Sequence, residues 1–332
     1  MKTPFQLSVV IPTHNRKATL ERTLDALSRQ VELESAFEVV VIDDASSDAT
    51  AEFLRGYSRN AHPFAWSWER QEKAGQGVAR NRGCERARGV RVLFLGDDIL
   101  PHQRLVGEHQ RAAGAAELAV LGYTAWHPEI RLTPFRRLIN EDGLQFGYGL
   151  LQDGAAADYR FFYTSNLSLD RGLVLDAGGF DPEFSGYGWE DIELGYRLCR
   201  DGLRILHRRA ALAYHLHAVT PASFRRRQHS SGRAALKFFL KHPEPQVAQV
   251  ILLDRALEPA LKRHTLEAAL EPLALVLEPL FGAGLVGFLN RAMNRHFVAG
   301  LREALAEDSA RRGLAPAELI HQAQTAAALH GP

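Results

Sequence analysis

Asp97 and Asp98 follow the apolar run Val92-Leu93-Phe94-Leu95 and Gly96. The run reads as a buried strand that delivers two adjacent carboxylates at its carboxyl end. Two ionised acids placed there repel each other, so a cation is expected beside them, and a hard divalent ion with a phosphate behind it is the usual candidate. An exposed Asp-Asp turn closing the strand before Pro101 is the plainer alternative. A second acidic pair lies in Phe180-Asp181-Pro182-Glu183-Phe184-Ser185-Gly186-Tyr187-Gly188-Trp189-Glu190-Asp191. Glycines 186 and 188 permit close backbone approach, and Trp189 offers a flat apolar face. Glu190-Asp191 opens a helix whose buried stripe is Leu194 and Leu198. Carboxylates at a helix start complement its dipole, which is a sufficient structural reason for this pair taken alone. His215 and His217, at i and i+2 in the strand-like run Ala211 to His217, form a candidate ligand set, with packed histidines as the plainer reading.

The elements that must position these groups follow from periodicity. Leu7 to Ile11 reads as a strand, Pro12 to Asn15 as a loop, and Leu20, Leu24 and Leu27 as the buried stripe of a helix. Phe37 to Ile42 repeats the strand signal, Asp43-Asp44 closes it, and Ser46-Ser47-Asp48 supplies cap chemistry for the next helix. A third strand is expected within Phe64 to Trp68, a helix over Val78 to Arg88 and a fourth strand at Val92 to Leu95. Strands alternating with helices predict a parallel sheet with right-handed crossovers. Ligands bind beyond the carboxyl ends of such strands, so Pro12 to Asn15, Asp43-Asp44 and Asp97-Asp98 should share one rim. Further on, a helix is expected from Pro101 towards Ala116 and strands at Leu118 to Leu121 and Phe161 to Leu169. A loop-rich stretch from Thr124 to Asp158 could form or cover an acceptor site.

The ordered series Val9 to Arg16, Val39 to Asp48, Gly77 to Gly83 and Phe94 to Asp98 resembles the nucleotide-sugar half of family 2 inverting glycosyltransferases, and the resemblance extends through about residue 240. It implies the GT-A fold, a Rossmann-like, mostly parallel α/β sheet flanked by helices. By that resemblance Asp44 would accept the imide N–H of uracil, with an N-cap role as the alternative. His14 stands where relatives place an aromatic residue that stacks on the base, or else faces solvent. Pro12 and Thr13, with Asn15 in the same loop, would shape the base pocket. Gly77 and Arg80 would lie near the nucleotide, although arginine on a solvated helix face is common. Gly96 occupies the first position of the family's aspartate-any-aspartate motif, a departure from its pattern. Asp97 is therefore assigned to the ribose side and Asp98 to a Mn or Mg ion bridging the phosphates.

The Gly-Trp-Glu-Asp stretch resembles the acceptor motif of inverting galactosyl- and N-acetylhexosaminyl-transferases. This implies Asp191 as general base and Glu190 as partner of another acceptor hydroxyl, with the two roles open to exchange. Trp189, with Gly188 and Tyr187, would hold a sugar ring. His215 would be the nitrogen ligand of the ion and His217 the second choice, which favours Mn.

With 40 basic and 39 acidic residues among 332, the chain gives no global reason to expect nucleic acid as a partner. Cys84 and Cys199 lie far apart without CxxC spacing, so neither a disulfide framework nor a zinc ribbon is implied and a reducing, cytoplasmic setting fits. The first residues lack a signal-peptide pattern. The apolar run Leu273 to Leu289, broken by Glu278, Pro279 and glycines, reads as buried or interfacial helix rather than a membrane span. The segment from Phe224 to Lys241 mixes basic and aromatic residues. It could be a solvated face, a diphosphate clamp or a surface for anionic lipid, which would place the protein peripherally on a membrane.

The expected organisation is a GT-A domain over 1–242, with a nucleotide-sugar half at 1–122 and an acceptor half at 123–242, followed by a helical extension at 243–332. The expected function is inverting transfer from a nucleoside diphosphate sugar, with UDP preferred, to a saccharide or lipid-linked acceptor in glycan synthesis of the cell-envelope kind. A sugar-phosphate nucleotidyltransferase lacks support, because no glycine-rich loop with arginine and lysine follows the first strand. A nucleotide-sugar or carbohydrate binding module without turnover is the alternative.

Overall fold

The computed structural model describes residues 5–186, 188–217, 219–258, 270–271, 273–274 and 283–330. Among the described residues, nine strands form one sheet: β1 (Leu7–Thr13), β2 (Phe37–Asp44), β3 (Ala65–Gln71), β4 (Arg91–Leu95), β5 (Ile99–Pro101), β6 (Leu118–Trp126), β7 (Ala156–Ala157), β8 (Asn166–Asp170) and β9 (Arg204–His215). Their order is β3-β2-β1-β4-β8-β6-β9-β5, with β7 on β9. The first half, β3-β2-β1-β4, is parallel, as the strand–helix alternation predicts. The second half is mixed: β8 runs antiparallel to β4 and β6, and β9 is parallel to β6 but antiparallel to β5 and β7.

The helices in chain order are α1 (Lys17–Ser28), α2 (Thr50–Tyr57), α3 (Gln76–Arg86), α4 (Leu105–Ala112), α5 (Pro134–Asn140), α6 (Arg171–Asp176), α7 (Glu190–Arg200), α8 (Pro221–Lys241), α9 (Pro245–Val250), α10 (Leu253–Leu257), α11 (Ala283–Arg312) and α12 (Pro316–His330). Every residue of β1, β2 and β4 is buried, because helices cover both faces of these strands. On one face Leu20, Leu24 and Leu27 of α1 join Val9, Ile11, Val39, Val41, Leu93 and Leu95. Their spacing of four and three keeps them on one stripe, and each fully buried leucine contributes about 1.5–3 kcal/mol. On the other face Ala79 of α3 packs with Val40 and Ile42. Gly83 of α3 lies so close to β1 that a Cβ there would fall 2.3 Å from Val10 Cγ1.

Two compact units divide the chain: residues 1–131, 148–185 and 190–218 form the first, and 132–147, 186–189 and 219–332 the second. The whole sheet belongs to the first unit. In the second, Thr220 and Ser223 cap the start of α8 reciprocally and Pro221 occupies its first turn. Helices α8 and α11 meet at two glycines. A Cβ on Gly232 would fall 1.9 Å from Phe297 O, and one on Gly300 would fall 2.0 Å from His229 O. The boundary expected at residues 242–243 thus falls within the second unit.

Three local expectations change. The helix placed from Pro101 starts at Leu105, because Ile99–Pro101 adds to the sheet instead, with Ile99 opposite His215. Proline is acceptable in that edge strand, where its missing N–H breaks no interior ladder. The strand placed over 161–169 begins at Asn166. Ahead of it the Asp158 side chain accepts from Arg160 N and caps a short 3₁₀ turn at Tyr159–Phe161. The stretch from Thr124 to Asp158 is more ordered than a loop: it completes β6 and carries α5, capped by Thr133. The apolar run Leu273 to Leu289 falls largely outside the described residues. Among those described, no helix is long and apolar enough to cross a membrane.

Candidate active site

Parallel strands β1, β2 and β4 bring their carboxyl ends to one edge, and the loops there are tied together by polar contacts. Thr13 Oγ1 donates to Asp97 Oδ2 at 2.8 Å, and His14 Nδ1 lies 2.7 Å from Asp44 O. Asn15, in the left-handed region at φ 54°, donates its N–H to Ser46 Oγ and accepts at Oδ1 from the N–H groups of Ser47 and Asp48. The rim expected from the sequence is therefore present, with Pro12 buried beneath it opposite Ile42.

Asp44 is buried and accepts from Gln71 Nε2 at 2.9 Å, Ala74 N at 2.7 Å and Gly75 N at 3.0 Å, with Lys73 Nζ 3.3 Å away. Burial opposes its charge, but these donors outweigh burial and hold the carboxyl below its ordinary value. Asp44 thus fastens the loop leading into α3 rather than capping α2, whose start has no side-chain cap.

The acidic pair lies at the centre of the rim. Burial, reinforced by the neighbouring charge of Asp98, pushes the Asp97 carboxyl up to about 7 against the pull of Arg16, Thr13 and the His14 N–H. Asp98 goes the other way. Burial opposes its charge, yet His215, Arg16 and His217 overcome that and hold it below the usual carboxylate range. Arg16 Nη1 is seated on Asp98 Oδ2, and His215 Nε2 lies 3.9 Å from the same oxygen. His215 is delivered by the β5–β9 pairing and by the bond from Leu216 N to Asp98 O, 2.9 Å. His217 lies just beyond β9, which ends at His215, and its ring stays 6.4 Å from that of His215 between centroids. His217 O lies 3.1 Å from His215 Nδ1. Gly96 has a steric reason: a Cβ there would fall 2.8 Å from Ile99 Cγ1 and 3.1 Å from Asp98 Oδ1.

The second pair stands at the start of α7. Glu190 is buried, and its Oε1 accepts from Gln76 Nε2 at 2.6 Å and Arg80 Nη1 at 2.9 Å. Its Oε2 has no hydrogen-bond partner among the described residues. Arg80 is buried too, with its guanidinium 5.4 Å from the centre of the Phe180 ring. Gly77 leaves room for this arrangement, since a Cβ there would press 3.2 Å from Phe180 Cβ and 3.6 Å from Glu190 Cγ. Burial, with the charge of Glu190 added, pushes Asp191 up to about 7. Arg80 and the backbone N–H groups of Ile192 and Thr164 pull it down. The two pairs are joined by one polar path: Asp97 to Thr13, His14 to Asp44, Asp44 to Gly75, and Gln76 to Glu190.

Residues 8–171 match the profile described as Glycosyl transferase family 2. The similarity to that family takes in just under half of the chain. Validoxylamine A glucosyltransferase of Streptomyces hygroscopicus subsp. limoneus is 36% identical over 228 residues, covering 59% of this chain and 48% of its own. Chondroitin synthase of Escherichia coli is 28% identical, covering 63% of this chain and 34% of its own. The chain spans about half the length of the first of these relatives and less of the second. Among solved structures, mannosyltransferase PcManGT from Pyrobaculum calidifontis, in complex with GDP-Man and Mn2+, superposes with a TM-score of 0.61 at 20% identity, covering 90% of this chain and 87% of its own. S. aureus TarS 1–349 in complex with UDP-GlcNAc gives 0.51 at 18% identity, covering 93% of each chain. The fold is the GT-A arrangement, extended by C-terminal helices.

Gly188 and Trp189 group with the second unit: Trp189 donates from Nε1 to Ser231 O at 2.9 Å and stacks on Phe238 at 5.3 Å between centroids. Tyr187 lies outside the described residues. Among those described, no group of three or more His, Cys, Asp and Glu residues could hold a metal. Asp98 and His215 still fit a divalent ion bound with substrate. Such ions bind through one or two protein ligands plus phosphate oxygens and water, and a gap of 3.9 Å can be spanned by bonds of about 2.1 Å on each side. Sequence reasoning gave no task to Arg16 or Gln76. The demand of two adjacent acids for a cation signals the first, and nothing in the spacing signals the second.

Proposed function

We propose that the protein transfers a sugar from a nucleoside diphosphate sugar, UDP-linked by preference, to an acceptor hydroxyl with inversion at the anomeric carbon. The observation that carries this reading is the series of loop contacts that runs from Asp97, next to Asp98 at the carboxyl end of the parallel sheet, to Glu190, next to Asp191 at the start of α7. Nucleotides bind at that end of such sheets. A carboxyl titrating near neutrality beside it suits a general base.

The roles divide by location. His14 and the Pro12-Thr13 backbone frame the base. Asp44 offers about four lone-pair positions, of which Gln71, Ala74 and Gly75 use three; the fourth, on Oδ2, faces Lys73 Nζ at 3.3 Å and would take an imide N–H if that exposed lysine swings aside. Asp97 steadies the ribose side through Thr13. A Mn or Mg ion held by Asp98 and His215 with the diphosphate would supply positive charge against the leaving group. Asp191 takes the proton of the acceptor hydroxyl as its oxygen bonds to the anomeric carbon. The bond from that carbon to the diphosphate oxygen breaks with its electron pair leaving on the phosphate. Glu190 Oε2 accepts from a second acceptor hydroxyl. The acceptor is a saccharide or lipid-linked hydroxyl.

The test compares the intact chain with Asp191→Asn for UDP binding and for sugar transfer or donor hydrolysis with Mn2+ present. Retained UDP binding with lost turnover supports the reading. A wild-type chain that binds UDP but turns over no donor would instead be a binding module.

A further inference from the structure

Arg16 is the charged member of the rim that the reading above leaves without a task. It stands just ahead of α1, its side chain 36% exposed, with Nη1 on Asp98 Oδ2 and 3.9 Å from Asp97 Oδ1. His215 Nε2 faces that same Asp98 oxygen. A cation set between His215 Nε2 and the Asp98 oxygen nearest to it, Oδ2, would contact the oxygen that Arg16 now covers. Two cations on one carboxylate oxygen repel strongly in a partly buried site. Gly96 leaves this pair without a third acid directly beside it in the chain.

Resting on the donor-site reading, we propose that Arg16 is an exchangeable counter-cation. It sits on Asp98 while the site is empty of donor, yields that carboxylate to the divalent ion, and then pairs its guanidinium with the diphosphate that arrives with the ion. The chemistry suits the exchange. A guanidinium fork matches phosphate oxygens as well as it matches a carboxylate, and the exposed flank of Arg16 lets it turn without unpacking the core. Metal and nucleotide then bind together and each weakly alone, because displacing Arg16 from Asp98 is offset only when a phosphate receives it.

Mn2+ titration of the full chain, followed by the EPR signal of free Mn2+, tests this with and without UDP in wild type, Arg16→Gln and Arg16→Lys. Without nucleotide, Arg16→Gln should bind Mn2+ about tenfold more tightly than wild type, and should lose that gain when Asp98→Asn is added. Arg16→Lys, which keeps the charge, should stay near wild type. With Mn2+ saturating, Arg16→Gln should bind UDP about tenfold more weakly. Equal or weaker Mn2+ binding by Arg16→Gln, in a protein whose wild type still takes up UDP with Mn2+, overturns the exchange and leaves the donor site standing. A wild type that takes up no UDP with or without Mn2+ overturns both. Matching melting curves show that each variant is folded.

Discussion

Two of the molecule's adjacent acid pairs, Asp97-Asp98 and Glu190-Asp191, are built alike and held differently. In Asp97-Asp98 and in Glu190-Asp191 one carboxyl is driven up to about 7, and an arginine faces each pair. The arginines differ in exposure: the Arg16 side chain is 36% exposed and that of Arg80 8%. A half-exposed guanidinium on a loop can be replaced by another cation, whereas a buried one gripped by glutamate and an aromatic ring cannot leave without stranding a charge. The lesson is that the same local charge problem serves two ends. The first pair is built to change its counter-ion, and the second to keep Asp191 in place beside a fixed one.

Breaking each pair in turn should sharpen the contrast. The largest effect falls on turnover: Asp191→Asn should lower kcat about a thousandfold while the UDP dissociation constant stays within a factor of about three. Arg80→Met leaves Glu190 buried without its partner and should cost about 3 kcal/mol in chemical denaturation. The matching change in the other pair, Arg16→Gln, should cost less than about 1 kcal/mol, since a half-exposed ion pair contributes little. Similar losses for the two arginine variants would mean that the two pairs are held alike.

A pH series gives an effect of intermediate size. A carboxyl whose folded pKa is raised stabilises the fold at low pH, and that contribution is lost as pH climbs from the unfolded value of 3.8 through about 7. Asp191→Asn cannot ionise. Measured by thermal unfolding, its stability relative to wild type should therefore improve by on the order of 2 kcal/mol between pH 5 and pH 8. Wild-type kcat should fall over the same interval as pH drops below about 7, because the base must be ionised to act.

The first half of the fold was legible because β-branched runs and the Leu20, Leu24, Leu27 stripe are local signals. The parallel rim followed from topology alone, and Asp98 and His215 do meet on it. What the sequence hid depends on long-range pairing. Ile99–Pro101 is too short to announce itself as a strand, yet its pairing with β9 is what seats His215 beside Asp98. Arg80 and Glu190 stand 110 positions apart, and no periodicity links them. The need for a cation at Asp97-Asp98 was readable from charge. That a side chain of this same protein meets the need was not, because a loop's direction is set by contacts such as Asn15 with Ser47.

Gly83 has one more consequence. Helix α3 lies against β1 at a depth that a single methyl group on that residue would forbid. Gln76 and Arg80 ride on the same rigid rod, so any larger side chain at 83 would lift them and slacken their grip on Glu190. The seating of Glu190 at the start of α7 is thereby set from the opposite end of a neighbouring helix, by an atom that is not there.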